Sequence, residues 1–260
     1  MAKPNVERWN VGDKGTGWIP DIPDHRDQLF RDFRPRVAIT ERVALKDEFL
    51  PPIRDQLALG SCVGHSVSSA LLYSLRQKGE VFRKPGYGLS PLYCYYRARE
   101  YINTIHEDSG AYIRDGVKGA FAYGVATEAT HPYRVDRFTK APTQTANTTA
   151  RWHQAKGGYK RCLSVDEVMQ ALSEDMACVA GFSCFSNLDS GFRGHIPMPG
   201  PTDNLEGGHA VFVIAADPAT REFTFLNSWG RNWGNNGVGY LPFAFFERGW
   251  MDDVWSVTHE

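Results

Sequence analysis

The hydrophobic pattern changes period partway along the chain, and this change limits the fold more than any other feature. From Ser61 onward apolar residues recur at helical spacing, Val63, Val67, Ala70, Leu71 and Leu75, with no proline before Pro85. That spacing predicts a long buried helix with Cys62 in its first turn. A second helix is expected from Pro91, capped by Ser90, to Ile105, and a third from about Ile113 to Tyr123, stopping at Gly124. Ser164-Val165-Asp166-Glu167 reads as a cap with an acidic first turn, opening a helix to about Met176. Beyond it the apolar runs shorten to 178–184, 210–215, 222–226 and 239–243, separated by Gly, Pro, Asp and Asn as strands are. Helices first and strands after predict an α+β fold of two lobes with a cleft between them, residues 50–160 helical and 161–260 β-rich in outline. Thr139–Thr149, rich in Thr and Ala with Pro142 inside it, reads as a surface loop.

Residues 1–40 differ from the rest. Pro20-Asp21-Ile22-Pro23-Asp24 cannot be regular helix, because each proline removes a donor and fixes φ. The stretch reads as an extended arm on the surface or across the cleft, or else as a partly ordered leader with no role, ahead of a body at 41–260. The net charge of −1 offers nothing to a nucleic acid or an anionic membrane. No apolar run approaches the ~20 residues of a membrane span. The five cysteines are scattered and odd in number, with no Cys-x-x-Cys pair. A disulfide framework and a zinc site are therefore not expected, and neither is any cofactor. The N-terminus lacks the apolar stretch of a secretory signal, so the expected place of synthesis is the cytoplasm. Export by a non-classical route stays open.

One constellation carries chemistry. Asn227-Ser228-Trp229-Gly230-Arg231-Asn232-Trp233-Gly234 is dense in glycine and tryptophan around a single Asn. Eighteen positions before Asn227 stands His209, in Gly207-Gly208-His209-Ala210-Val211, and far upstream Gln56 precedes Cys62 by six. A thiol at a helix N-terminus meets amide N–H groups and a dipole that favour the thiolate. If the strands carrying His209 and Asn227 are neighbours, the Asn carbonyl orients one ring nitrogen and leaves the other for the thiol. Trp229 is then a shield over that hydrogen bond, whereas Trp233 is read as packing. His65, three residues past Cys62, is read as structural because a base needs a partner to place it. His131 and His195 lack partnered spacing.

At these residues the chain resembles the papain family of cysteine peptidases. The matching blocks are Gln56 with Gly60-Ser61-Cys62, then His209-Ala210-Val211, then Asn227-Ser228-Trp229-Gly230 through Trp233-Gly234 to Gly237. Ser109–Ile113 is similar to the family's substrate-binding strip, and Gly124–Tyr133 to the segment after it. The resemblance implies a two-lobed papain-like fold, with a helical lobe and a β-barrel-like lobe, and hydrolysis of peptide bonds in a peptide or protein substrate. It makes Cys62 the nucleophile, His209 the base and then acid, Asn227 its orienter, and Gln56 with the Cys62 amide the oxyanion hole. Gly60, Gly110 and Ala111 would offer backbone contacts to substrate. Tyr112, Ile113 and Ala210 would line an apolar pocket for the second residue upstream of the cut.

The chain departs from the pattern in three ways. Val63 stands where the family has Trp. Leu59 and Asp108 stand at the two ends of a usual disulfide. About forty residues precede the body, too few for the family's long helical prodomain. The arm instead resembles the short leader of bacterial and phage members, and residues 1–37 are expected to occlude the cleft of a monomer. Two other readings remain: a papain-fold acyltransferase or deamidase acting on a protein side chain, and a non-catalytic binding scaffold.

Overall fold

The computed structural model describes residues 10–11, 14–84 and 86–258. In chain order it contains strands β1 (Asn10–Val11), β2 (Lys14–Gly15) and β3 (Val43–Ala44), then helices α1 (Cys62–Lys78), α2 (Pro91–Tyr101), α3 (Ile113–Tyr123) and α4 (Gln144–Arg151). The second half holds β4 (Tyr159–Cys162), α5 (Val165–Ser173), β5 (Ala177–Phe185), β6 (Leu205–Asp217), β7 (Glu222–Leu226), β8 (Val238–Pro242), α6 (Phe243–Glu247) and β9 (Met251–Val257).

Almost every residue of α1 from Cys62 to Leu75 is buried, because the helix packs on α2 and α3 on one side and on β6 on the other. Three serines survive in that setting by bonding back along the helix. Ser66 Oγ donates to the Val63 carbonyl, Ser68 to that of His65 and Ser74 to that of Ala70. Alpha helix α2 starts as expected, with Ser90 Oγ accepting from the Tyr93 amide at 3.1 Å. It stops short of Ile105, because Asn103 adopts a left-handed φ of 55°. There the Arg99 guanidinium gathers the carbonyls of Ile105 and Glu107 at 3.1 and 2.8 Å and that of Phe138 at 2.5 Å. A buried charge held by carbonyl oxygens fixes the loop that leads to the strip at 109–111.

Strands β1 and β2 pair with each other, and β3 to β9 form one seven-stranded sheet, in the order β4-β9-β5-β6-β7-β8, with β3 paired to β6. All these pairings are antiparallel. The expected barrel-like lobe is corrected here: among the described residues the end strands β4 and β8 do not pair with each other, so the sheet stays open. Three further expectations change. The Thr139–Thr149 loop contains the start of α4, where Thr143 Oγ1 caps the Ala146 amide at 3.2 Å and Ala146 and Ala150 face the core. Strand β6 begins at Leu205, so His209 lies inside a strand and not at its start. The run 239–243 divides into the end of β8 and the first residue of α6.

Candidate active site

Cys62 is the first residue of α1, at the helix end that faces the sheet. His209 is on β6, where it pairs with Phe182 of β5, and Asn227 follows the last residue of β7. Because β6 and β7 are adjacent antiparallel strands, the two side chains meet. His209 Nε2 lies 2.7 Å from Asn227 Oδ1. That oxygen also accepts from the Ser228 amide at 2.8 Å, which identifies it as the carbonyl end of the Asn side chain. Nε2 therefore carries the proton, and Nδ1 of the neutral ring is an acceptor. Nδ1 is buried and has no hydrogen-bond partner among the described residues. The Trp229 ring stacks on the imidazole, with centroids 4.2 Å apart and planes at 29°. Trp233 meets Trp229 edge-on at 5.4 Å and also packs on Phe225.

Gln56 is held at both ends of its amide. Oε1 accepts from Ser228 Oγ at 2.5 Å, and Nε2 donates to the carbonyls of Leu59 and Gly15 at 2.8 and 3.0 Å. Tyr133 braces this corner, since its hydroxyl donates to the Gln56 carbonyl at 2.8 Å and lies 2.7 Å from Ser61 Oγ. Asp108 occupies one of the two absent half-cystine positions. Its carboxylate accepts from the Gly60 amide at 3.0 Å and from Tyr95 Oη at 2.6 Å, so a hydrogen bond ties the strip to the loop before Cys62. His65 is buried with Nδ1 against the Ser61 carbonyl at 3.1 Å, and burial lowers its pKa to about 3.

Residues 14–21 of the arm lie in the cleft. The amides of Gly17 and Trp18 both reach the Gly208 carbonyl, at 3.0 and 2.9 Å. On the facing wall the Ala111 amide donates to the Gly17 carbonyl at 2.8 Å, and the Ile19 amide donates to Ala111 at 3.1 Å. The approach needs glycine: a Cβ on Gly17 would stand 2.0 Å from the Gly60 carbonyl oxygen. The cleft-facing members of the strip, Gly110 and Ala111, thus contact the arm, while Tyr112 caps α3 and Ile113 opens it.

Burial overrides the electrostatics expected at a helix N-terminus. Burial pushes the Cys62 thiol up to about 12, against the opposing pull of the amides of Ala210, Gly17, Val63 and Cys62. Burial also lowers His209 to about 4, opposed by its bond to Asn227. Desolvation outweighs the amides, so beneath the arm the pair is neutral thiol and neutral imidazole.

Neither Trp18 nor Asp253 is among the site residues expected from the sequence. Trp18 Nε1 donates to Asp253 Oδ2 at 3.1 Å, and the Asp21 amide donates to the same oxygen at 2.5 Å. Trp255 Nε1 in turn donates to Asp21 Oδ2 at 2.9 Å. A large aromatic in a polar, proline-rich arm is the available signal for Trp18, one of the arm's two tryptophans with Trp9. Nothing in the Asp252-Asp253 pair marked the second residue. Among the described residues no group of three or more His, Cys, Asp or Glu side chains is arranged as metal ligands would be, and no helix is long and apolar enough to cross a membrane.

A thiol at a helix start, an imidazole fixed by an amide and an amide side chain beside the thiol, all between a helical lobe and a sheet, define a protein of the cysteine-nucleophile hydrolase class. The family model of papain family cysteine proteases matches residues 39–244, and the chain belongs to that family. It is 29% identical over 274 aligned positions to an uncharacterized peptidase C1-like protein of Acanthamoeba polyphaga mimivirus, covering 94% of this chain and 86% of that one. Its fold superposes on xylellain, a cysteine protease from Xylella fastidiosa, with a TM-score of 0.84 and 29% identity over 98% of this chain and 99% of the other. A procathepsin B of Trypanosoma congolense shares the fold at a TM-score of 0.70 and 16% identity, over 94% and 86% of the two chains.

Proposed function

We propose that the protein is a cysteine endopeptidase held latent by its own N-terminal arm. The observation that carries this reading is His209 itself, oriented by Asn227 through Nε2, shielded by Trp229, and left with an unpartnered acceptor nitrogen on the strand whose next amide, that of Ala210, reaches the Cys62 thiol. Once the arm leaves, water and the emptied cleft lower the cost of charge. The proton then passes from Cys62 to His209 Nδ1, giving a thiolate and an imidazolium. The thiolate attacks the scissile carbonyl, and the Gln56 Nε2–H and the Cys62 amide stabilise the oxyanion. His209 returns the proton to the departing amine. It then takes a proton from water, whose oxygen attacks the thioester and frees the acid, restoring the thiol.

The test is alkylation of the full-length chain by iodoacetamide or an epoxysuccinyl probe, followed by peptide mapping, with the arm intact and after its displacement. The expected result is slow labelling with the arm docked and fast, selective labelling of Cys62 near neutral pH once it is displaced, together with hydrolysis of a fluorogenic peptide. Equal labelling of all five cysteines at free-thiol rates after displacement defeats the proposal.

A further inference from the structure

The Gln56 side chain carries two hydrogens on Nε2, and the structure gives them different partners. One goes to the Gly15 carbonyl of the arm at 3.0 Å, so departure of the arm releases it to the cleft. The other goes to the Leu59 carbonyl at 2.8 Å, a contact within the body of the protein. At the opposite end of the amide, Oε1 accepts from Ser228 Oγ at 2.5 Å. The first hydrogen is the one available to an oxyanion. Where it points is set by the anchor of the second, the Leu59 carbonyl.

That carbonyl shares one planar peptide unit with the Gly60 amide. Its oxygen also accepts from the Ser61 amide at 2.7 Å, which closes a tight turn centred on Gly60. Glycine at the centre of a turn lets the peptide plane swing. Asp108 stops the swing. The Gly60 N–H donates to its carboxylate, 3.0 Å from Oδ1 and 3.2 Å from Oδ2. Oδ1 in turn accepts from Tyr95 Oη at 2.6 Å, and that hydroxyl accepts from the Gly110 amide at 3.0 Å. Tyr95 is a wholly buried residue of α2, with the Arg99 guanidinium 4.0 Å over its ring. A continuous chain therefore runs from the core of the helical lobe through Tyr95, Asp108 and the Leu59–Gly60 peptide to Gln56. Leu59 and Asp108 stand at the ends of the family's usual disulfide, and a charge-assisted hydrogen bond to the peptide beside Leu59 takes its place.

We propose that Asp108 is a positioning residue for the oxyanion hole: by fixing the Leu59–Gly60 peptide plane, it aims the remaining Gln56 Nε2 hydrogen into the cleft. This rests on the peptidase reading. Loss of the carboxylate displaces the donor without deleting it. The penalty should therefore fall below the ~10²–10³ in rate that follows removal of an oxyanion donor. A hydrogen bond to a charged group sets it at roughly 10-fold.

The experiment uses the full-length chain carrying Trp18→Ala, which loosens the arm, and a fluorogenic peptide. Asp108→Ala is expected to lower kcat roughly 10-fold. KM and the rate of Cys62 alkylation by iodoacetamide should stay within about threefold, because alkylation forms no oxyanion. Affinity for a peptide aldehyde, whose hemithioacetal oxygen enters the hole, should fall in step with kcat. Asp108→Asn should restore most of kcat, since a single Asn Oδ1 can accept from both the Gly60 amide and Tyr95 Oη. Tyr95→Phe removes the hydroxyl that holds Oδ1. It should lower kcat too, and add little to Asp108→Ala. An unchanged kcat in Asp108→Ala, a fall shared equally by the alkylation rate, or an Asn variant no better than Ala would each overturn the assignment. Failure of the peptidase reading looks different: no hydrolysis and slow Cys62 labelling in the Trp18→Ala chain with Asp108 intact.

Discussion

Replacing Trp18 by Ala in the full-length chain should open the cleft without touching a residue of the proposed chemistry. Trp18 is 7% exposed, lies flat against Gly181 and Gly208, and donates its one polar hydrogen to Asp253. Truncating a buried Trp to Ala costs ~3–5 kcal/mol. The bond to a carboxylate is part of that total, because truncation losses are not additive. Since ~1.4 kcal/mol is tenfold in an equilibrium, the open-arm population should rise roughly 10²- to 10³-fold. The assay is the pseudo-first-order rate of Cys62 alkylation by iodoacetamide, read by peptide mapping. Cys178, buried in the sheet and far along the chain from the arm, serves as an internal clock for global unfolding. The expected outcome is a Cys62 rate two to three orders of magnitude faster, ~10²- to 10³-fold, with the Cys178 rate little changed. An unchanged Cys62 rate, or one rising in step with Cys178, refutes the reasoning, because the arm would then not be what shields the thiol.

Three further outcomes follow from the same contacts. The contribution of Asp21 to arm docking should weaken as pH rises from 3.8 through about 6, because burial raises its carboxyl from 3.8 to about 6. The docked arm holds a proton there that the free arm gives up, so this contribution is largest at low pH and deprotonation of Asp21 favours release. Asp21→Asn should flatten this profile of Cys62 alkylation, and a profile with the opposite slope contradicts it. Gly181→Ala should speed alkylation in the parent chain, because its Cβ would overlap the indole. It should add little in a Trp18→Ala background, and full additivity of the two rates would count against a shared contact. Gln56→Ala, measured in the Trp18→Ala chain, should lower kcat by ~10²–10³ while Cys62 still alkylates quickly. A kcat within threefold of the parent, on the order of a typical surface substitution, would remove Gln56 from the oxyanion hole.

Much of the site is readable in the chain because its local signals are strong. Gly60-Ser61-Cys62 before an amphipathic run puts a thiol at a helix start, and α1 begins at Cys62. Asn227 after one short apolar run and His209 beside another need only neighbouring antiparallel strands to meet, and β6 and β7 are such strands. The resemblance to papain-like proteins supplied what residue types alone did not, namely which His and which Gln to choose. Harder to read were features that depend on partners far apart in sequence. Strand β9 carries Asp252, Asp253 and Ser256 and shows no clean alternation, yet it is central, because β4 and β5 pair with its two edges. Helix α4 lay hidden in a polar Thr-rich stretch, since only Ala146 and Ala150 needed to be buried.

By itself the sequence determined the α+β class and the family, and it singled out the thiol, imidazole and amides proposed for the chemistry, because each depends on short-range pattern or on motif. Only the tertiary structure decided the ionisation of the pair and the content of the cleft. The amides of α1 favour a thiolate, but desolvation by burial is larger and favours the protonated Cys62 thiol. Desolvation depends on everything that packs around an atom. Trp18, Gly181, Gly208 and Asp253 come together from the arm and three strands, a convergence that no window of sequence contains.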